Sequence, residues 1–182
     1  MNSETQSGSV VAQLPARRIV LTGFMGSGKS TVGPLLAERL GWRFIDADEE
    51  IESKSGRKIA EIFTRHGEPF FRALEEETIA RLARSESLVL ALGGGAIESE
   101  ATRALLTTNP GTRLIHLEVE LTTALARCQG TETVRPVLAD HANLASRYER
   151  RLPLYRTAHA SVPVDALTPE QAVEAVLKAA RF

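Results

Sequence analysis

Gly23-Phe24-Met25-Gly26-Ser27-Gly28-Lys29-Ser30 follows the apolar run Ile19-Val20-Leu21 and precedes a segment with helical spacing. A glycine, four unconstrained positions and then Gly-Lys-Ser is the pattern of a phosphate-binding loop, and strand, loop, helix is the context that gives the pattern a mechanism. The glycines let the backbone approach an anion closely, so that successive N–H groups of the loop and helix N-terminus point at it. Lys29 is placed to reach the β- and γ-phosphates of a nucleoside triphosphate. Ser30 supplies a hydroxyl that can ligate Mg²⁺ arriving with the nucleotide, since magnesium sites combine few protein oxygens with phosphates and water.

Working outward, 182 residues suit one domain with a full core and no need of disulfides or structural metal. A formal charge of −1 argues against a broad basic surface for nucleic acid. Cys128 is the only cysteine, which excludes an internal disulfide, and no Cys/His spacing suggests zinc. No apolar run has the length that spans a bilayer. Residues 1–16 are polar, without the basic and apolar regions of a signal peptide, and are read as a flexible tail on a domain covering 17–182. A cytoplasmic monomer with no membrane partner is expected.

From Arg18 onward, apolar runs alternate with amphipathic segments, the signature of an α/β fold with a parallel sheet between helices. The expected strands are Arg18–Thr22, Arg43–Ile45, Leu88–Leu92, Arg113–Leu117 and Ala160–Val164. Pro163 puts the last of them at a sheet edge, because proline cannot donate to a central ladder. Thr168-Pro169-Glu170-Gln171 reads as the start of the final helix, with a hydroxyl cap, proline at the first turn and glutamine at the third position. Pro34 removes a backbone bond to the Ser30 carbonyl, so a kink or another partner is expected there. Residues 49–85 form a helical insertion broken at Gly56 and Gly67. Phe71, Leu74, Thr78 and Leu82 recur on an inward face, with Arg72 and Glu75 projecting together from another part of the same helix.

Four further places carry candidate chemistry. Asp46 and Asp48 follow the second strand, at the edge where open α/β sheets put their ligands. Alternation along an extended chain would place Phe44, Asp46 and Asp48 on one face. Such acids also cap helices, but beside a phosphate loop a magnesium-facing Asp46 and a catalytic, hydroxyl-activating Asp48 fit better. Gly93-Gly94-Gly95 ends the third strand, either as a sharp turn or as a surface against which a ligand lies. Residues 130–143, with Thr133-Val134-Arg135-Pro136, are a solvated connection or a lid whose Arg135 reaches the γ-phosphate. Of Arg147, Arg150, Arg151 and Arg156, only Arg151 stands beside a helix-ending proline, Pro153, that could fix its direction.

These segments, in order, resemble the shikimate kinases, which are similar to nucleoside-monophosphate kinases. The resemblance runs from about Arg18 to the final helix through Gly23–Thr31, Asp46-Ala47-Asp48, Phe71-Arg72-Ala73-Leu74-Glu75, the glycine triplet, Thr133–Pro136 and Arg151-Leu152-Pro153-Leu154-Tyr155. It implies a three-layer P-loop kinase fold with a five-stranded parallel sheet, an insertion and a lid. The implied chemistry is transfer of a phosphoryl group from ATP, with Mg²⁺, to the 3-hydroxyl of shikimate, a step toward chorismate and the aromatic amino acids. Nucleotide would lie on Gly26, Ser27, Gly28, Lys29, Ser30 and Thr31, with Arg135 closing over it. Shikimate would be held by Asp48, Arg72, Gly93, Gly94, Gly95 and Arg151, with Glu75 orienting Arg72. Magnesium would meet Ser30 and, through water, Asp46. Two departures stand out. Either Arg127 or the apolar Cys128 takes the place of an adenine-stacking arginine, with Pro169 a candidate for the opposite face. Ala91-Leu92 also lacks a hydroxyl that some members carry before the glycines. A gluconate kinase shares the phosphate loop but not the acceptor-side pattern, and a nucleotide-dependent switch has no use for a second anion site.

Overall fold

The computed structural model describes residues 16–128 and 141–181. The tail up to residue 15, most of the expected lid, and Arg135 lie outside the described residues. Five parallel strands, β1 (Arg18–Thr22), β2 (Arg43–Asp46), β3 (Leu88–Ala91), β4 (Thr112–Glu118) and β5 (Ala160–Pro163), lie in the order β2, β3, β1, β4, β5. Strands covered on both faces need apolar side chains in both directions. Accordingly Ile19, Val20, Leu21, Leu88, Val89 and Leu90 are wholly inaccessible. Pro163 ends β5 at the sheet edge, where its missing N–H costs no ladder bond.

Right-handed crossovers put helices of leftward and rightward steps on opposite faces of such a sheet. Helix α1 (Lys29–Leu40) leads from β1 to β2 and packs on α8 (Pro169–Ala180). Between β2 and β3 the insertion forms α2 (Ala47–Ser55), α3 (Ile59–His66) and α4 (Glu68–Leu82), and α4 packs on α5 (Glu100–Thr108). Helices α6 (Leu121–Cys128) and α7 (His141–Tyr155) lie between β4 and β5 in the chain. The breaks at Gly56 and Gly67 are present, both with positive φ, and the insertion has its own small core of Ile51, Ile62 and Phe71. Thr168 caps α8 in a reciprocal box with Gln171. Among the described residues no helix is long and apolar enough to cross a membrane.

Three local expectations change. Asp48 does not continue β2 in extended form. The chain turns into α2 at Ala47, so Asp48 sits in a first helical turn and the alternation argument for its direction fails. Glu75 meets Arg72 as expected, at 2.7 Å, but from the buried side. It falls on the inward stripe with Phe71, Thr78 and Leu82, and is only 2% exposed. Pro153 does not end α7, which continues to Tyr155.

Helix α1 continues through Pro34 to Leu40. Its neighbour Gly33 lies against the Phe44 ring of β2, where a Cβ would stand 2.2 Å from ring Cε2. Gly33→Ala therefore improves helix propensity by about 1 kcal/mol yet creates an overpacking cost of roughly 1–3 kcal/mol. We expect a net loss of stability in urea unfolding that shrinks when Phe44→Leu is added, a coupling that a double-mutant cycle measures. Additive effects of the two changes would disprove the contact.

Candidate active site

Parallel register sets the strand ends side by side: Leu21 and Asp46 both pair with Ala91, and Thr22 pairs with His116. The segments leaving these ends enclose a cleft of about 880 Å³. Of the described residues expected to touch nucleotide, acceptor or metal, from Gly26 to Arg151, all line it but Ser27; Glu75, expected behind Arg72, and Pro169, the candidate for the opposite face of the base, do not. Ser27 is 1% exposed and faces into the loop, where its Oγ lies 3.3 Å from Lys29 Nζ.

At one end is the phosphate loop. Gly28, with φ 91°, starts α1 without a side-chain cap, so the first N–H groups of the helix are open to an anion in the cleft. Gly26, with φ 74°, passes so close to α6 that a Cβ would sit 2.6 Å from the Ala124 carbonyl oxygen. Lys29 Nζ donates to the Gly23 and Phe24 carbonyls at 2.7 and 3.1 Å, which holds the ammonium over the loop. Arg127 is the cationic member of the uncertain pair at the end of α6. It is exposed, and its guanidinium bridges the Gly26 carbonyl at 3.3 Å and the Val164 carbonyl at 2.8 Å. Cys128 is buried beside it.

Asp46 does serve as a helix cap: one carboxylate oxygen accepts from the N–H groups of Asp48 and Glu49 at 2.9 and 3.3 Å. The cap leaves the other oxygen for the cleft. Ser30, exposed on the first turn of α1, adds a hydroxyl. Among the described residues no group of three His, Cys, Asp or Glu side chains could hold a metal by itself. One hydroxyl and one carboxylate nonetheless fit Mg²⁺, whose remaining positions go to phosphate and water.

The other end is built around the glycine triplet. A Cβ on Gly93 would lie 2.7 Å from Asp48 Oδ1 and 3.0 Å from Glu75 Oε1, and one on Gly95 would lie 2.6 Å from Arg72 Nη2. Arg72 Nη1 donates to the buried Glu75 at 2.7 Å, while its Nε and Nη2 reach Glu68 at 3.3 and 3.1 Å. Arg151, 9% exposed, donates to Glu98 at 2.9 Å, and Glu98 also holds Arg150 at 3.0 Å. Tyr155 donates to the Gly94 carbonyl at 2.7 Å beneath these groups, stacked on His116. Burial pushes the Tyr155 hydroxyl up to about 12, so it remains a donor. Burial, helped by the neighbouring charge of Asp46, pushes Asp48 up to about 6 against the pull of Lys29 and Arg72. Its Oδ1 is buried and has no hydrogen-bond partner among the described residues.

The protein-family model for shikimate kinase matches residues 25–181. The chain belongs to the shikimate kinase family. A shikimate kinase of Thermobifida fusca is 45% identical over 162 residues, covering 87% of this chain and 92% of its own. One of Streptomyces coelicolor is 46% identical over 169 residues, covering 91% and 96%. Among solved structures, a shikimate kinase from Acinetobacter baumannii in complex with shikimate is 35% identical with a TM-score of 0.83, covering 90% of this chain and 92% of that one.

Against this family background, the residues missed from sequence are Glu68, Glu98 and His116. Glu68 and Glu98 lack a motif of their own, and their importance comes from pairing with Arg72 and Arg151 across a helical turn or a long loop. His116 is hidden in an apolar strand; only its partners Tyr155 and Ser161 give it meaning.

The raised Asp48 carboxyl has a sign that stability measurements can read. A carboxyl whose folded pKa lies above its ordinary 3.8 stabilises the fold while protonated in the native state. That contribution is complete below about pH 4 and is lost as pH rises through about 6. Asp48→Asn has no such loss. Between pH 4 and pH 7 the variant should gain on the order of 2 kcal/mol over the parent in urea unfolding. A constant difference between the two proteins across that range would show that Asp48 titrates normally.

Proposed function

We propose that this cleft transfers the γ-phosphoryl group of ATP to the 3-hydroxyl of shikimate, releasing 3-phosphoshikimate and ADP. One observation carries the reading: a phosphate loop and a two-arginine anion site open into the same cleft, with the half-buried Asp48 carboxylate lining it as well. The domain would work as a cytoplasmic monomer spanning 17–182, with residues 49–85 presenting the acceptor site and 130–143 serving as a lid.

Phosphoryl transfer through a loose transition state asks for positioning and charge neutralisation more than for covalent chemistry. Gly26 to Thr31 hold the β- and γ-phosphates with main-chain N–H groups, and Lys29 leaves its loop carbonyls to stabilise charge developing on the γ-oxygens. Arg127 lies along the nucleotide's base, and Arg135 comes from the lid. Ser30 and, through water, Asp46 would hold Mg²⁺, which neutralises phosphate charge when bound. Arg72 and Arg151 grip the acceptor's carboxylate with planar forks. Backbone groups of Gly93, Gly94 and Gly95 border its ring. Asp48 accepts a hydrogen bond from the acceptor hydroxyl, orients it and takes its proton as the bond to phosphorus forms.

The test is ADP release from MgATP with shikimate, gluconate or no acceptor. Turnover that depends on shikimate supports the reading. Turnover indifferent to every acceptor would instead mark a nucleotide-dependent switch. Lys29→Met should fold as the parent does and lose about 10²-fold or more in kcat. Near-parental turnover at saturating MgATP would remove Lys29 from the mechanism. Asp48→Asn keeps size and one acceptor oxygen but cannot take a proton, so kcat should fall about 10²–10⁴-fold with a smaller change in shikimate KM. An effect confined to KM would make Asp48 a binding group only.

A further inference from the structure

Arg72 is held on two sides by carboxylates of different character. Its Nη1 is bound by Glu75, whose side chain is 3% exposed, at 2.7 Å. The guanidinium lies against the Gly95 backbone. What remains is the Nε and Nη2 edge, where two donors point in parallel and can receive both oxygens of a carboxylate. Glu68 already occupies that edge. A single oxygen, Oε1, takes both donors at 3.3 and 3.1 Å, from a side chain that is 62% exposed and itself lines the cleft.

We infer that Glu68 is an internal stand-in for the acceptor's carboxylate, holding Arg72 in place and giving way when an acid enters. The inference rests on the reading that Arg72 receives the carboxylate of shikimate. Glu68 is suited to leave. It sits at the start of α4, four residues before Arg72, and an exposed pair at that spacing contributes little to stability. Its grip uses one oxygen where a bidentate acid uses two. Glu75 cannot leave in this way, because stripping a buried carboxylate of its cation is costly. Glu98 is likewise no stand-in: both of its oxygens are engaged, by Arg150 and by a nearly buried Arg151. The consequence is selectivity. A neutral acceptor cannot displace Glu68 and binds with the Arg72–Glu68 pair left in place, whereas an acid exchanges like for like.

The experiment is calorimetric binding of shikimate and of its methyl ester to the parent and to Glu68→Gln, with steady-state turnover of both proteins. An exposed pair of this kind is worth about a two- to fivefold change in a binding constant. Glu68→Gln should therefore bind shikimate roughly two- to fivefold more tightly, with a matching fall in KM, and should bind the ester no better than before. Its thermal midpoint should stay near the parent's. Unchanged or weaker shikimate binding by the variant overturns the inference, since Glu68 would then be idle or would position Arg72. An equal gain for acid and ester overturns it too, by showing that the effect is not exchange of carboxylates. In those cases turnover of shikimate by the parent shows that the function reading still stands. A parent that neither binds nor turns over shikimate would remove both.

Discussion

The end of the cleft away from the phosphate loop depends on the main chain of Gly93-Gly94-Gly95 having no side chains. Asp48 and Glu75 press against Gly93, and the Arg72 guanidinium against Gly95, at distances where a Cβ would leave no room. Tyr155 grips the carbonyl between them. The triplet is thus less a flexible turn than a slot, into which groups from α2, α4 and α7 are wedged around one strip of backbone. Any side chain at the first or third glycine would push a charged group out of register, and the dense packing around the slot gives that group nowhere to go.

Charge is balanced across this slot with little to spare. Asp48, Glu75 and Arg72 share one side, and Glu98 and Arg151 the other. Burying such groups is expensive unless each is paired, and the pairing is nearly complete. The exceptions are Asp48 Oδ1 and Arg151 Nε, which are buried without a hydrogen-bond partner among the described residues. Both belong to residues that line the cleft.

How far the amino-acid order reveals this arrangement depends on the length scale of each signal. The sheet was readable because burial on both faces forces continuous apolar runs, and the edge position of β5 was readable from the one residue, Pro163, that a central strand rejects. The phosphate loop was readable because its spacing is itself the geometry. Asp48 does line the cleft, but not for the reason the alternation argument offers: period two gave way to a helix that begins one residue earlier, capped by Asp46. Glu75 was misread because helical spacing sorts residues by angle and not by polarity. A carboxylate on the inward stripe becomes tolerable only when Arg72 curls back over it from the next turn. Glu68 and Glu98 were invisible, since an exposed or half-buried glutamate is ordinary until the arginine it holds is seen to line the cleft.

Asp46 shows how one residue can couple these levels. By capping α2 it fixes the direction in which that helix leaves the sheet, and therefore the position of Asp48 in the first turn. Its charge also helps hold the Asp48 carboxyl well above the ordinary range. A cation bound near Asp46 and Ser30 would neutralise that charge and ease the ionisation of Asp48, by the same coulombic coupling with its sign reversed. The two ends of the cleft are linked through a single helix cap.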